Sequence, residues 1–525
     1  MAEAQSNLAA EASISESEGS LLEKILKDGR LAPTDEERDV AKQWVEALVD
    51  QVVTQEMKIS PDTEAMLNAR IAAIDQALTN QLNEIMHAEA FQKLEGAWRG
   101  LKYFVFQTET STMLKIKVMN ISKLDLLKDL RNASEFDQSA IFKKVHDEGY
   151  GVLGGAPFGA LVGDYEFGRH PDDLEVLEKV SNIAAAAHAP FLASAGTKMF
   201  NWDSFTDLAG PRDLAKIFDN DAYIRWKSFR ESDDSRYVGL VLPHVLMRLP
   251  YGKETAPVEA FDFEENVDGK DHSKYLWGNA AYALATRLTD AFARYEWCAA
   301  IRGVEGGGLV EGLPTHTFTT DDGDIAVKCP TEIAITDRRE NEFAKLGFIP
   351  LCYYKGTDRA AFLAAQSAQK PTVYLSDDAN ANARLSAQLQ YIFAVSRFAH
   401  YLKAMMRDKI GSFMSREQCE QFLNQWISNY VLLDDLAPQE QKAKFPLREA
   451  RIEVTEIAGK PGSYNAVAYL RPHFQLDELT SPKPSNYVSL SVRLVLPIST
   501  SPAFGVPSAD RSLPTATCVE TALAH

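Results

Sequence analysis

The residues from Trp297 to Glu340 hold the chain's strongest hint of phosphate chemistry. Their first half includes Ile301-Arg302-Gly303-Val304-Glu305-Gly306-Gly307-Gly308-Leu309-Val310-Glu311-Gly312-Leu313-Pro314. A Walker-type loop needs a second glycine five residues after the first, then Lys and Ser or Thr, so that an ammonium meets the phosphates and a hydroxyl meets Mg²⁺. Gly303 and Gly308 have that spacing, but Leu309 and Val310 follow. The dinucleotide fingerprint also fails, because counting from Gly306 its third glycine falls on Glu311. Glu305 and Glu311 would repel a phosphate held between them. The expectation is a tight, buried turn in which glycine permits positive φ or close backbone approach. No cofactor is expected.

Other reactive residue types are equally scattered. The ten histidines form no His-x-x-x-His or His-x-x-Glu-His pair, so no helical zinc site and no metal is expected. His188, His316, His400 and His473 sit in apolar or Pro-flanked contexts and read as hydrogen-bonded structural histidines. No Gly-x-Ser-x-Gly elbow is present. Asp262, Glu264 and Glu265 read as a solvated face or a contact for basic partner residues. Arg230, Glu231, Asp233, Asp234 and Arg236, like Asp337, Arg338, Arg339 and Glu340, are mixed-sign clusters suited to salt-bridge networks. The five cysteines, Cys298, Cys329, Cys352, Cys419 and Cys518, never form a Cys-x-x-Cys pair, as in a reducing compartment. A net charge of −19 disfavours nucleic acid and anionic membranes. No run approaches a spanning helix, and Met1 to Ser20 lacks a signal peptide's basic start. The chain is read as cytoplasmic and without catalytic residues.

The elements that carry these residues follow from period and capping. Residues 1–19 are small, polar and acidic, and are expected to be disordered. Ser20 and Glu23 make a capping box for a short helix, Leu21 to Asp28, stopped by Gly29. Its Leu21, Leu22, Ile25 and Leu26 share one face, which packs on its own domain or is offered to another protein. A second helix runs from Thr34 to about Val53 with Val40, Trp44, Leu48 and Val52 on its face. A third starts at Ser60-Pro61, where Leu67, Ile71, Ile74, Leu78, Leu82 and Ile85 recur in steps of three and four. That is a packing seam for another long helix, in this chain or a neighbour. Phe91 to Leu101 continues helically, with Phe91, Leu94, Ala97, Trp98 and Leu101 expected inward. Lys115 to Val118 alternates as a strand.

From about Asn120 to Asp377 the pattern is mixed α/β. Phe158–Tyr165 and Tyr237–Leu242 read as buried strands, and Pro171–His188 and Asn279–Cys298 as helices. Leu385–Met406 and Arg416–Tyr430 read as two further helices. A hairpin follows, Arg451–Ile457 and Tyr464–Arg471 around Gly459-Lys460-Pro461-Gly462. Tyr487 to Leu496 alternates with Val488, Leu490, Val492 and Leu494 on one face, as an edge strand does. Residues 497–525 are Pro/Ser/Thr/Ala-rich and are expected to be an unstructured tail.

Taken together, the chain resembles the large subunit of the type VI secretion contractile sheath, the TssC/VipB family, from about Leu21 to Leu496. Phe91-Gln-Lys-Leu-Glu-Gly-Ala-Trp-Arg-Gly-Leu101, Gly159-Ala-Leu-Val-Gly-Asp-Tyr-Glu-Phe167, Arg248-Leu-Pro-Tyr-Gly252, Phe261-Asp-Phe-Glu-Glu265 and Lys328-Cys-Pro-Thr-Glu-Ile333 carry it. Pro211 to Phe218, Asp234 to Gly239, Ile301 to Phe318, Asp337 to Glu340, Arg397 to Lys403 and Arg407 to Phe413 contribute further matches. The resemblance implies a non-enzymatic protein that pairs with a small sheath subunit. The heterodimers, with other sheath protomers, would polymerise on a baseplate around an inner tube protein in a Gram-negative cytoplasm and contract to expel it. It also implies recycling by a AAA+ unfoldase at Leu21, Leu22, Ile25 and Leu26. Strand exchange between neighbours would use the strand bearing Val488, Leu490, Val492 and Leu494. The seam from Leu67 to Ile85 is then a candidate for packing with the small subunit.

The implied fold class is mixed α/β (α+β), a multi-subdomain contractile-sheath fold. It has N-terminal helices (a recognition helix over 20–30 and an arm over 31–90), a mixed α/β core over 91–440, and C-terminal antiparallel strands over 441–496 completed by neighbouring chains. The insertion Ser481–Asn486 and the residues after Leu496 depart from the family pattern. A phage-tail-like sheath and an enzyme with an unrecognised cleft are the alternatives.

Overall fold

A computed structural model describes residues 40, 42–44, 47, 63–320, 322–457, 463–475, 491–492 and 517–523. Contacts divide the chain into two units, Met1–Leu82 and Asn83–His525. The expected helix Leu21–Asp28 lies outside the described residues. Helix α1 runs Thr63–Met86 and carries the predicted seam.

Helix α2, Glu89–Phe106, begins the larger unit's packing. Its buried face is Gly96, Ala97, Gly100, Leu101 and Phe104, whereas Phe91, Leu94 and Trp98 are exposed (38%, 42% and 54%). The expectation that those three large residues point inward is therefore corrected. The reason is close approach: a Cβ on Gly100 would lie 2.5 Å from the Tyr282 ring, and one on Gly96 2.9 Å from the Trp277 carbonyl. Small residues let one backbone pack on another, so the helix turns its glycine face, not its bulkiest one, to the core.

The main sheet has eight strands: β1 (Leu114–Asn120), β2 (Phe158–Phe167), β3 (Phe191–Ala195), β4 (Val238–Leu242), β7 (Leu309–Val310), β10 (Ile349–Tyr353), β11 (Ala360–Phe362) and β15 (Thr517–Leu523). Their order is β1-β15-β2-β3-β4-β10-β11-β7. Pairing is parallel from β1 through β10 and antiparallel for β10–β11 and β11–β7. Two-stranded ribbons, β5 (Val245–Leu246) with β6 (Trp277–Gly278) and β8 (Thr317–Thr319) with β9 (Ile325–Val327), lie outside it. Strand β15 overturns the expectation of an unstructured segment throughout 497–525, since its seven residues lie between two strands of the core. Composition hides this because Thr517–Leu523 is a short β-prone run inside a long Pro/Ser/Thr-rich one.

Helices cover both faces of the sheet, as parallel strands require. One core gathers Leu127, Leu177, Phe167, Phe200, Trp226 and Phe348, with helices α3 (Lys123–Asn132), α4 (Pro171–Ala187), α5 (Ile224–Glu231) and α7 (Asp337–Lys345) around it. The other holds Phe104, Val162, Leu192, Tyr282, Leu288 and Ile349 under α2 and α6 (Ala281–Tyr295). Helix α8 (Asp377–Ser386) precedes α9 (Leu389–Asp408), so the expected helix Leu385–Met406 is in fact interrupted. The backbone of 387–389 bonds instead to Ala365 and Ser367, a tertiary pairing that local periodicity does not register.

A third core joins α9, α10 (Arg416–Ser428) and the hairpin β12 (Leu447–Glu456) with β13 (Tyr464–Pro472). Trp297 stacks on Phe398 there, with ring centroids 4.2 Å apart. Strand β14, Ser491–Val492, pairs antiparallel with β13, Val492 opposite Ala468.

Candidate assembly surfaces and buried ion-pair clasps

The glycine loop is the tight turn its sequence suggests, but it is not buried throughout: Gly308 is buried, whereas Val304, Glu305, Glu311 and Gly312 are exposed. Gly303, Gly307 and Gly312 have φ of 76°, 90° and 71°. A Cβ on Gly308 would fall 2.5 Å from the Phe362 carbonyl. Gly303 donates to the Phe362 carbonyl at 2.7 Å and Gly308 to the Gly303 carbonyl at 2.8 Å. These N–H groups are spent on backbone and are not aimed at an anion.

At the carboxyl edge of the parallel strands, where open α/β sheets often bind ligands, the side chains hold one another instead. His244, just after β4, places Nδ1 2.6 Å from Glu332 and Nε2 2.9 Å from Glu166 of β2. Burial opposes the imidazolium, but the carboxylates on its two nitrogens outweigh it and raise its pKa to about 10. Burial likewise pushes Glu332 upward, yet His244, Ser204 and the Phe205 N–H bring its pKa below the usual range. Ser204 donates to Glu332 at 2.9 Å and accepts from the Thr206 N–H, capping its own turn. With both ring nitrogens engaged by carboxylates, His244 has no lone pair aimed at a substrate, and the triad reads as an ion-pair clasp. Sequence reasoning missed His244, because its partners lie 78 and 88 residues away.

A second clasp joins three of the segments that carry the family resemblance. Arg248 meets Glu265 in a two-pronged pair and also donates from Nε to Glu95 of α2 at 2.9 Å. Glu95 accepts from Arg99 as well, and Arg99 reaches the Tyr251 hydroxyl at 2.9 Å. Glu265 is thus buried, which corrects its reading as part of a solvated face; Asp262 and Glu264 are exposed as expected. Arg230 is also corrected: it is buried and donates to the Ala368 and Lys345 carbonyls. Arg338 and Arg339 pair with Glu342.

Three of the four singled-out histidines are hydrogen-bonded as expected. His188 Nδ1 meets the Tyr237 hydroxyl, His316 Nδ1 the Tyr275 hydroxyl, and His400 Nε2 the Ala187 carbonyl. The Nε2 of His473 is buried without a partner among the described residues, so that reading is corrected there. Burial followed by Lys403 and His146 holds His188 down to about 4, and burial followed by Arg397 holds His400 well below its ordinary value. Among the described residues no group of three His, Cys, Asp or Glu is placed to hold a metal. None of their helices is long and apolar enough to cross a membrane.

The surface offers apolar faces suited to other chains. On α1, Leu67, Ile71, Ile74, Leu78 and Ile85 are 40–55% exposed, while Leu82 is half-buried. On α2, Phe91, Leu94 and Trp98 form one exposed stripe. A contiguous apolar row on a long helix is the form a helical partner packs against. Of the other predicted site residues, Leu21, Leu22, Ile25, Leu26, Val488, Leu490 and Leu494 lie outside the described residues. Val492 is placed only as part of β14.

Two family models match the chain. One, VipB, described as the EvpB/VC_A0108 tail sheath N-terminal domain, covers residues 68–369. The other, VipB_2, described as the EvpB/VC_A0108 tail sheath gpW/gp25-like domain, covers residues 378–482. A curated relative, the type VI secretion system sheath protein TssC1 of Pseudomonas aeruginosa strain PAO1, is 51% identical over 450 residues, which is 85% of this chain and 90% of that protein. Among solved structures, the cryo-EM structure of the anti-feeding prophage baseplate aligns with a TM-score of 0.32 at 9% identity, over 60% of this chain and 66% of that one. The contracted helical sheath of the same prophage aligns with a TM-score of 0.28 at 10% identity, over 59% and 67%. Both likenesses are too distant to bear on the fold.

Proposed function

We propose an assembly mechanism for this chain from the premise that it belongs to the VipB family of tail sheath proteins and is a homologue of the type VI sheath protein TssC1. It acts as the large, non-enzymatic subunit of a cytoplasmic contractile sheath. A small sheath subunit packs along the α1 seam, and the heterodimers polymerise from a baseplate around an inner tube, which contraction drives outward. The observation that carries the pairing step is the exposed row Leu67, Ile71, Ile74, Leu78 and Ile85 on a helix of 24 residues. Because each is already about half covered, burying the rest contributes on the order of 1 kcal/mol per side chain before ordering costs.

Two further contacts belong to the same reading. Leu21, Leu22, Ile25 and Leu26 form the helix face that a AAA+ unfoldase grips after contraction. The strand of Val488, Leu490, Val492 and Leu494 passes to a neighbour's β12–β13 hairpin; supporting this, the β13 edge of that hairpin accepts a third strand, which here is this chain's own β14. Backbone pairing at such an edge gives affinity without demanding a particular side chain.

The test is negative-stain electron microscopy of this chain alone and co-expressed with a candidate small subunit. Tubes or cogwheel-like rings in the co-expressed sample alone are expected. Tubes from this chain alone would replace the two-component sheath with a self-sufficient polymer, and monodisperse particles in both would remove the sheath assembly. In the same preparation Leu22→Asp should leave assembly intact and abolish unfoldase binding; loss of assembly would make that helix structural.

A further inference from the structure

Arg397 of α9 is a buried cation without a counter-ion. It is 8% exposed, and no carboxylate stands within ion-pair distance of it among the described residues. Its guanidinium reaches His400 Nδ1 only at 3.4 Å, and its Nε is buried with no partner. His400 does not supply the opposite charge. Its Nε2 gives its proton to the Ala187 carbonyl at 2.8 Å, and burial and then Arg397 keep the ring neutral, so Nδ1 offers a lone pair alone. The Tyr401 ring lies 4.9 Å from the guanidinium carbon and adds a modest attraction. The C-terminal end of α6, at Glu296, adds the equivalent of about half an elementary charge. Neither replaces an anion, because a charge taken out of water needs a full partner to offset its lost hydration.

Beside the guanidinium is a hollow with room for one water-sized sphere. Phe393, Arg397 and His400 of α9 line it, with Trp297 and Cys298 after α6 and Gly159 of β2. Glu296 stands at the same hollow, but it is exposed and makes no ion pair with Arg397. Although the chain carries −19 overall, the field here is positive. After burial, Lys403 is what lowers the pKa of His188, and Arg397 what lowers that of His400. A water in the hollow would satisfy the Nε–H and leave the charge unbalanced. A carboxylate side chain or a phosphate is too large for it, whereas a halide is little bigger than a water.

We propose that this hollow is a halide site, in which one chloride ion accepts the Arg397 Nε–H and balances the guanidinium charge. Phe393, Arg397 and His400 lie in the region 378–482 matched by one sheath domain, and Gly159, Trp297 and Cys298 in the region 68–369 matched by the other. The ion therefore ties the two domains at their junction, and the stability of that junction follows chloride concentration by mass action. The site is independent of the assembly reading.

The test is thermal unfolding of the full chain in sodium chloride and in sodium gluconate at equal ionic strength, with chloride NMR line broadening as the binding readout. Gluconate is too bulky for the hollow. The parent should melt about 2 °C or more higher in about 0.2 M chloride than in gluconate. Bromide should act as chloride does. Arg397→Met should lose both the chloride shift and the excess line broadening. In gluconate it should melt no lower than the parent, because an uncompensated charge is gone. Arg397→Gln repeats the comparison if the methionine variant does not fold. Equal melting of the parent in the two salts overturns the site, and so does an undiminished chloride shift in the neutral variants. Glu296→Gln should keep the parent's chloride shift. A shift present in Glu296→Gln and absent from the parent would make Glu296 the counter-ion and overturn the halide.

Discussion

Arg248 and Glu265 face each other through two N–H···O contacts, of 2.5 and 3.0 Å, on side chains only 7% and 1% exposed. Glu265 also accepts the Tyr251 N–H at 2.9 Å, and His87 lies 3.3 Å away. The pair ties the turn after β5 to the segment leading toward β6, and through Glu95 to α2. Breaking one side of a buried pair leaves the other charge stranded, which costs about 3–5 kcal/mol. Arg248→Met should therefore lower unfolding stability by that order in urea titration. Arg248→Met combined with Glu265→Leu should recover much of the loss, and an unchanged midpoint for the single variant would show the pair is dispensable.

The His244 clasp has a pH signature. Its folded pKa, about 10, lies above the ordinary 6.5, so its contribution is complete below 6.5 and is lost as pH rises toward 10. The Glu332 and Glu166 pKa values are depressed; for Glu166, desolvation within the clasp pushes upward, but His244, then Lys93 and Lys123, outweigh it and hold it at about 2. Their contribution is present above about 4.5 and is lost as pH falls. His244→Gln should cost about 3 kcal/mol at pH 6 and much less at pH 10. A pH-independent difference between the two chains would remove the clasp as an ionic device.

His188 and His400 run the other way. Their folded pKa values lie below 6.5, so the unfolded chain binds more protons in the window from 6.5 down to about 4, and stability is lost as pH falls through it. The groups facing them are Lys403, Arg397, His146, Tyr150 and Tyr237, and none of these carries a negative charge that would stabilise an imidazolium. His400→Gln should flatten the loss of urea midpoint between pH 7 and pH 5. An unchanged slope would mean the acid sensitivity arises elsewhere.

Gly100 tests the close approach of α2 to α6. A Cβ there meets the fully buried Tyr282 ring, so Gly100→Val should cost about 1–3 kcal/mol through overpacking, measured by thermal or urea unfolding. Gly100→Val with Tyr282→Leu should regain part of it. No loss in the single variant would show that the helix can shift outward freely.

The α1 seam separates folding from assembly. Because Ile71 and Leu78 are 55% and 42% exposed, Ile71→Asp with Leu78→Asp should leave unfolding stability within about 0.5 kcal/mol of the parent. Co-purification with the small subunit should drop at least tenfold. Normal co-purification would move the pairing surface elsewhere, with the stripe of Phe91, Leu94 and Trp98 next in line.

Much of this protein is written locally. The glycine turn at 303–312, the capping box of Ser415 and Gln418, the hairpin of β12 and β13 and the long α1 seam each depend on residues a few positions apart. Periodicity and turn chemistry are enough to read them. The family-bearing segments were legible too, though not their purpose: Arg248 to Gly252 and Phe261 to Glu265 are two halves of one buried clasp.

What tertiary structure decided are the relationships that span the chain. Which face of α2 goes inward turned on Tyr282 and Trp277, not on the helix's own hydrophobic stripe. The break between α8 and α9 came from backbone bonds to Ala365 and Ser367. His244 acquired its charge from Glu166 and Glu332, and Thr517–Leu523 its strand from a gap about 400 residues earlier, between β1 and β2. Period and propensity report what a segment prefers by itself. Burial, pairing and ionisation are set by whatever the fold brings opposite it, and those neighbours are distant in sequence.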